Sequence, residues 1–136
     1  MREIKFRGYN RKNNVWLYGF YLQNRGAHFV CPDEFATGKS WDDYEIDPDT
    51  LGQYTGLKDR NGREIYEGDV VDLRPYYSQL HRIEYSCGQW ICVDAGGGWI
   101  ALIEDEQLGD EMNGVEVIGN IYDNPELMKG DQSRRT

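Results

Sequence analysis

Long hydrophobic runs are missing from this sequence. Only 39% of its 136 residues are hydrophobic, and the mean hydropathy is −0.76. No run approaches the roughly 20 apolar residues of a membrane-spanning helix, and the basic N-terminus has no apolar segment of the kind found in signal peptides. We therefore expect a cytoplasmic protein that does not engage a membrane.

Cysteine and histidine are scarce. The sequence has Cys31, Cys87 and Cys92, with His28 and His81 scattered singly. Zinc sites typically need two close pairs of Cys or His ligands, which this spacing does not provide. We expect the thiols to be buried or idle, and we predict no metal site and no cofactor.

Motifs for catalysis are also lacking. The loop that starts at Asp59 fails the EF-hand pattern, since Glu64 stands at the position that requires glycine. The glycine-rich stretch 94–99 leads into a strand rather than a phosphate-binding helix. Ser78 lies three residues before His81 but without a glycine-rich elbow. No catalytic residue is predicted, and we expect a protein that is not an enzyme.

The net charge of −9 is unevenly distributed. Residues 1–30 carry six basic residues and one acidic residue, whereas residues 31–72 carry four basic and twelve acidic residues. Binding to nucleic acid depends on neutralising phosphates, so the overall charge disfavours it. The basic N-terminal segment either lies solvated on a strand, binds nucleic acid locally, or meets acidic surface of another subunit.

Alternating residues and frequent turn signals predict a mainly β fold with very little helix. Residues 1–50 are predicted to form an N-terminal β-meander over 1–31 and an acidic loop with a short strand near 44–46. Residues 51–128 are predicted to form a small SH3-like β-barrel, by analogy, and 129–136 a flexible tail. The two folded parts could also form one compact unit.

Turn chemistry is clearest in the second half. Asn61-Gly62 between two flanking segments predicts a hairpin whose two turn residues both have positive φ. The glycine-rich stretch 94–98 predicts a second hairpin loop. Asn124 followed by Pro125 predicts one short helical turn near the C-terminus.

Aromatic residues are abundant, with four Trp, ten Tyr and four Phe. A polar protein of this size needs such rings for its core, although small barrels also use surface aromatics to bind peptides or single strands. Tyr76 and Tyr77, beside Pro75 in a predicted loop, are the best candidates for exposed contacts. Together with Lys5 and Arg7 of the basic strand, they are the predicted binding residues.

Three segments carry a resemblance to a known family. They are Ile4-Lys5-Phe6-Arg7, the run from Gln53-Tyr54-Thr55-Gly56-Leu57-Lys58-Asp59 to Glu64-Ile65-Tyr66-Glu67-Gly68-Asp69-Val70-Val71, and 117–127 near the end. Together they resemble the YopX-like proteins of phages and prophages. The resemblance implies a phage or prophage origin, in a bacterial host cell, and a mainly β fold. It supplies no catalytic residues.

These observations lead to a hypothesis of function. We expect a non-enzymatic phage or prophage accessory protein that acts through protein–protein contacts, including self-assembly into a homo-oligomer. The alternative is a nucleic-acid-associated module that uses the basic strand and exposed aromatics. An acidic protein that imitates nucleic acid is a third reading, and a hydrolase is the last.

Overall fold

Regular structure in the part of the protein that the structure describes is almost entirely β. The computed structural model describes residues 3–33, 37–74, 77–101 and 115–129. Within these residues the helical elements are two 3₁₀ turns, Trp41–Asp43 and Pro125–Met128. The strands are β1 (Phe6–Asn10), β2 (Val15–Asn24), β3 (Ala27–Cys31), β4 (Asp47–Lys58), β5 (Glu64–Tyr66), β6 (Asp69–Asp72), β7 (Leu80–Ser86), β8 (Gln89–Asp94), β9 (Trp99–Ala101) and β10 (Glu116–Asn120). The predicted mainly β fold is confirmed.

The strands form two antiparallel five-stranded sheets. Their orders are β3-β2-β1-β4-β5 and β10-β6-β7-β8-β9. Contacts within the chain divide the protein into two compact units, Met1–Gly56 and Leu57–Thr136. The sequence analysis predicted the boundary after residue 50. In the described residues the second sheet is open, ending at β9 and β10, and does not close into the predicted SH3-like barrel. Most of the predicted tail, 130–136, lies outside the described residues.

The acidic connection contains more strand than predicted. Residues 47–50, assigned to a loop from the sequence, begin β4. Asp47 lies opposite Tyr9, and a register shift separates this pair from the regular pairing around Arg7. Pro48 is compatible with strand structure here because it lies near the strand start, beside this irregularity.

In the first unit, β2 changes partner at Gly19. Residues 15–19 pair with β1, and residues 20–24 pair with β3. A Cβ atom at Gly19 would collide with the carbonyl oxygen of Cys31, so glycine permits the close approach of β3. A small core lies on the β2–β3 hairpin, formed by Phe29, Cys31 and Tyr44 with Leu17, Leu22 and Ala27 packed against it.

The core of the second unit is larger. Its buried members are apolar side chains from β5 to β8, β10 and the residues beside these strands: Ile65, Val71, Leu73, Ile83, Trp90, Cys92, Val115 and Val117. Such residues supply most of the stabilisation because each buries a whole side chain, worth about 1.5–3 kcal/mol.

The same type of five-residue loop occurs twice in the second unit, at 59–63 and at 94–98. In each loop the carboxylate Oδ1 of the leading aspartate, Asp59 or Asp94, accepts the backbone N–H groups of the third and fifth residues at 2.9–3.0 Å. The fourth residue is a glycine with φ of +83° in Gly62 and +93° in Gly97. The predicted hairpins are confirmed, but Asn61 does not adopt the positive φ expected for it.

Candidate interaction site

The β2–β3 hairpin and the 3₁₀ turn Trp41–Asp43 of the first unit carry large aromatic side chains in solvent. Phe20 is 57% exposed and Trp41 is 54% exposed. Across the ladder Leu22 lies opposite Phe29, two residues beyond the pair that Phe20 makes with Cys31. These side chains share one face by strand alternation. The Trp41 ring meets the Phe29 ring edge-on with centroids 5.4 Å apart, so Trp41 lies on that face as well.

We call Phe20, Leu22, Phe29 and Trp41 the hairpin surface. Its exposed rings stand on a packed base, because Phe29 belongs to the small core of this unit. A half-exposed aromatic ring leaves roughly 100 Å² in solvent. With the nearby half-exposed Tyr18, the exposed apolar area is about 300 Å², the size of patches that are often functional on monomers.

A network of hydrogen bonds fixes the turn that presents Trp41. The Asp43 carboxylate accepts the backbone N–H of Ser40 at 3.0 Å, the Lys12 ammonium at 2.9 Å and the Asn13 amide at 3.1 Å. These bonds, the Ser40 N–H first, hold the pKa of Asp43 well below its usual value. Because these bonds fix Ser40 and Asp43, they also fix the position of the backbone of Trp41 between them.

A cleft of about 470 Å³, lined mainly by polar and charged residues, continues from this turn. Asn10 supports it by donating to the backbone oxygens of Asp42 at 3.2 Å and Glu45 at 2.7 Å. Arg11 pairs with Asp47 at 2.6 Å. The lining residues are Asn10, Arg11, Lys12, Asp42, Glu45, Ile46, Asp47 and Pro48. The cleft therefore offers a polar border of mixed charge.

In the described part of the protein, no group of three or more His, Cys, Asp or Glu side chains is arranged to hold a metal ion. His81 is buried, with Nδ1 3.1 Å from the carbonyl oxygen of Gln79 and its ring against Tyr77. Across the same residues, nothing helical has the length and apolar character to cross a bilayer.

The YopX protein family profile matches residues 5–129. The protein belongs to the YopX family. Two solved structures share its fold. Protein EF1440 from Enterococcus faecalis is 24% identical with a TM-score of 0.59, and the match spans 95% of this sequence and 100% of that one. Protein yopX from Bacillus subtilis is 19% identical with a TM-score of 0.52, and the match spans 96% and 99%. No curated protein matches the sequence.

The binding residues predicted from the sequence for this YopX-family protein differ in their surroundings. Arg7 is 3% exposed and its guanidinium lies 4.8 Å from the Trp16 ring centre, so Arg7 is buried rather than solvated on the strand. Lys5 is half-buried beside Glu3, with Nζ and Oε2 3.5 Å apart. Tyr77 is partly buried against the core of the second unit. Tyr76 lies outside the described residues.

Sequence reasoning missed the hairpin surface. The run Val15–Leu22 has apolar residues at nearly every position, so alternation could not show which of them face solvent. Trp41 lies among acidic residues in a segment interpreted as loop. The feature of the sequence that could have indicated the site is the presence of Trp41 in an otherwise polar connection. Exposing so large an apolar ring is costly unless the ring packs or binds. In the second unit, Tyr66 and Trp90 are buried as core residues, whereas Tyr85 and Trp99 are exposed.

Proposed function

We propose that this YopX-family protein is a non-enzymatic accessory protein of a phage or prophage that binds another protein through the hairpin surface. The observation that carries the proposal is the exposure of Phe20 and Trp41 on a packed, hydrogen-bonded base. Rigid aromatic rings of this kind dominate binding energy at protein interfaces. Burial of these rings against a partner would remove apolar surface from water and so favour association. This mode of action requires no chemical step.

The surroundings of Trp41 resemble the rim of an interface. Protein interfaces combine an apolar centre with a polar border, and Lys12, Asp42 and Asp47 provide such a border beside the hairpin surface. A standard interface buries about 800 Å² on each partner. The exposed rings account for about a third of this area, and the polar border would supply orientation more than affinity.

The test compares matched tryptophans. Trp99 in β9 is 58% exposed, so Trp99→Ala removes an equally exposed ring from the other unit. We expect tagged wild-type protein to capture a stoichiometric host protein from lysate, with and without nuclease, as identified by mass spectrometry. Trp41→Ala and Phe20→Ser should lose this protein and Trp99→Ala should keep it. Equal capture by Trp41→Ala and Trp99→Ala would contradict the proposal.

Self-association is the version of this proposal in which the partner is a second copy. Light scattering across concentration and salt measures it directly. An apolar contact through Phe20 and Trp41 predicts an oligomer that resists salt, whereas pairing of basic and acidic surfaces predicts one that dissociates as salt rises. A strict monomer at low salt excludes both forms of the homo-oligomer.

Binding to nucleic acid through the basic N-terminal segment has weaker support. Arg11 and Lys12 each form ion pairs with carboxylates of their own unit, at 2.6 Å to Asp47 and 2.9 Å to Asp43. Paired cations release few counterions on contact with phosphate. We therefore expect no binding to single or double strands at low salt, and tight binding that falls steeply with salt would restore this alternative.

A further inference from the structure

We infer that Asn61 is a site of spontaneous deamidation and that the loop closed by Asp59 holds the reaction back. Asn61 is exposed and followed by Gly62. Its backbone N–H donates to the Asp59 carboxylate, whereas its side-chain amide makes no hydrogen bond within the described residues. A Cβ at Gly62 would meet nothing within 4 Å, so the Gly62 Cα faces open space.

The reaction needs only the protein and water. The backbone nitrogen of Gly62 loses its proton and attacks the amide carbon, Cγ, of Asn61. A new bond forms between these two atoms, the bond from Cγ to the amide nitrogen Nδ2 breaks, and ammonia leaves with the proton, giving a five-membered succinimide. Water then adds to either carbonyl of the ring and yields aspartate or isoaspartate. Glycine favours the first step because it has no Cβ to obstruct the attack.

The native loop restrains the attacking nitrogen. The Gly62 N–H donates to the carbonyl oxygen of Asp59 at 2.9 Å. The Asp59 carboxylate holds the flanking N–H groups of Asn61 and Arg63, each also at 2.9 Å. Attack requires this hydrogen-bonded turn to open. The net contribution of one such bond corresponds to a rate change of about two- to tenfold.

The sister loop shows that asparagine is not needed for this turn. In loop 94–98 the position of Asn61 is occupied by Gly96, and the same pattern of hydrogen bonds forms around Asp94. Asn61→Gly is therefore a matched variant that removes the reactive amide and keeps the loop.

Modification would act beyond the loop. Isoaspartate inserts an extra methylene into the backbone between residues 61 and 62, so Asp59 can no longer meet both flanking N–H groups at native spacing. Asp59 also accepts the Val117 N–H at 2.9 Å, and the Arg60 N–H donates to Val115 at 3.0 Å. The modified loop would thus loosen the edge of the second sheet at β10.

The experiment follows the full-length protein during incubation at neutral pH. Peptide mapping with electron-transfer fragmentation measures aspartate and isoaspartate at position 61. We expect slow conversion in the folded wild type, faster conversion in urea, and none in Asn61→Gly. Asp59→Ala should convert about two- to tenfold faster than Asp94→Ala, which disturbs only the sister loop. Purified isoaspartate protein should show faster hydrogen exchange at the Val117 amide.

Each outcome is decisive. No product at position 61 in urea overturns the assignment of the site. Equal rates in folded and urea-unfolded wild type overturn the restraint by the loop, and this comparison stands even where Asp59→Ala fails to fold. Unchanged exchange at Val117 in the modified protein overturns the proposed effect on β10.

Discussion

Replacing Asp59 by alanine removes one carboxylate that organises three backbone groups. Its Oδ1 accepts the N–H groups of Asn61 and Arg63, and its Oδ2 accepts the N–H of Val117, all at 2.9 Å. Asp59 and Val117 are buried. The loop N–H groups can turn to water after the substitution, whereas the Val117 N–H loses its partner in the interior.

The magnitude follows from this difference. An unsatisfied buried donor costs about 1–3 kcal/mol, and the two loop bonds add about 1–2 kcal/mol. We expect Asp59→Ala to lower the free energy of unfolding by about 2–5 kcal/mol, a large share of the roughly 5–15 kcal/mol typical of a domain. Asp94→Ala breaks the equivalent pair of loop bonds in an exposed hairpin and should cost about 1 kcal/mol.

Urea unfolding followed by tryptophan fluorescence and circular dichroism measures both variants. The midpoint should fall with an unchanged m value if the unfolded state is unaffected, and the melting temperature of Asp59→Ala should fall by about 10 °C. Asp59→Asn keeps one acceptor oxygen. Its NH₂ group faces either the Val117 N–H or the loop N–H groups, so one of these two sets loses its partner. The loss of unfolding free energy should therefore lie between those of the wild type and Asp59→Ala. Costs for Asp59→Ala and Asp94→Ala within about 0.5 kcal/mol of each other would refute the role of the Val117 bond.

Three further predictions test other features of the structure. Gly19→Ala should destabilise the first unit, because its Cβ would collide with the Cys31 carbonyl oxygen, and loss of β2–β3 amide protection in hydrogen exchange would show it; unchanged protection would contradict the close approach. The depressed pKa of Asp43 means that its contribution to stability is complete above the unfolded pKa of about 4 and is lost as pH falls through the folded value. Melting curves of Asp43→Asn should therefore depend less on pH below about 4 than those of the wild type, and parallel curves would argue against it. A thiol reagent should label exposed Cys87 rapidly and buried Cys31 and Cys92 only on unfolding; burial also raises the pKa of the Cys31 thiol, and rapid labelling of more than one thiol would show that the interior is open.

Local patterns predicted much of the fold because each depends on neighbouring residues. The Asn61-Gly62 turn, the glycine-rich loop 94–98 and the short turn after Asn124 all formed where the sequence placed them. The start of β4 did not, because Asp47, Pro48 and Asp49 are poor strand formers and pairing with β1 overrides their preference. Closure into a barrel is a long-range property that no local pattern specifies.

The candidate site was harder to predict than the fold. A basic residue in an alternating strand reads as exposed, yet Arg7 is buried against Trp16, since a guanidinium can stack on an aromatic face. Exposure of Phe20 and Trp41 depends on which face of the β2–β3 hairpin is covered by other parts of the protein. That information lies in tertiary packing rather than in any spacing along the sequence.

The segment that carries the family resemblance is mainly structural. Between Gln53 and Val71 it contains the buried Asp59, Tyr66 and Asp69, and Asp69 accepts the Tyr66 N–H at 2.7 Å. Buried carboxylates on backbone N–H groups fix turns, so these residues of the motif stabilise the fold. The hairpin surface lies outside it, in 20–41. A shared YopX fold is therefore compatible with different partners, since the residues proposed to bind are separate from those that shape the core of the second unit.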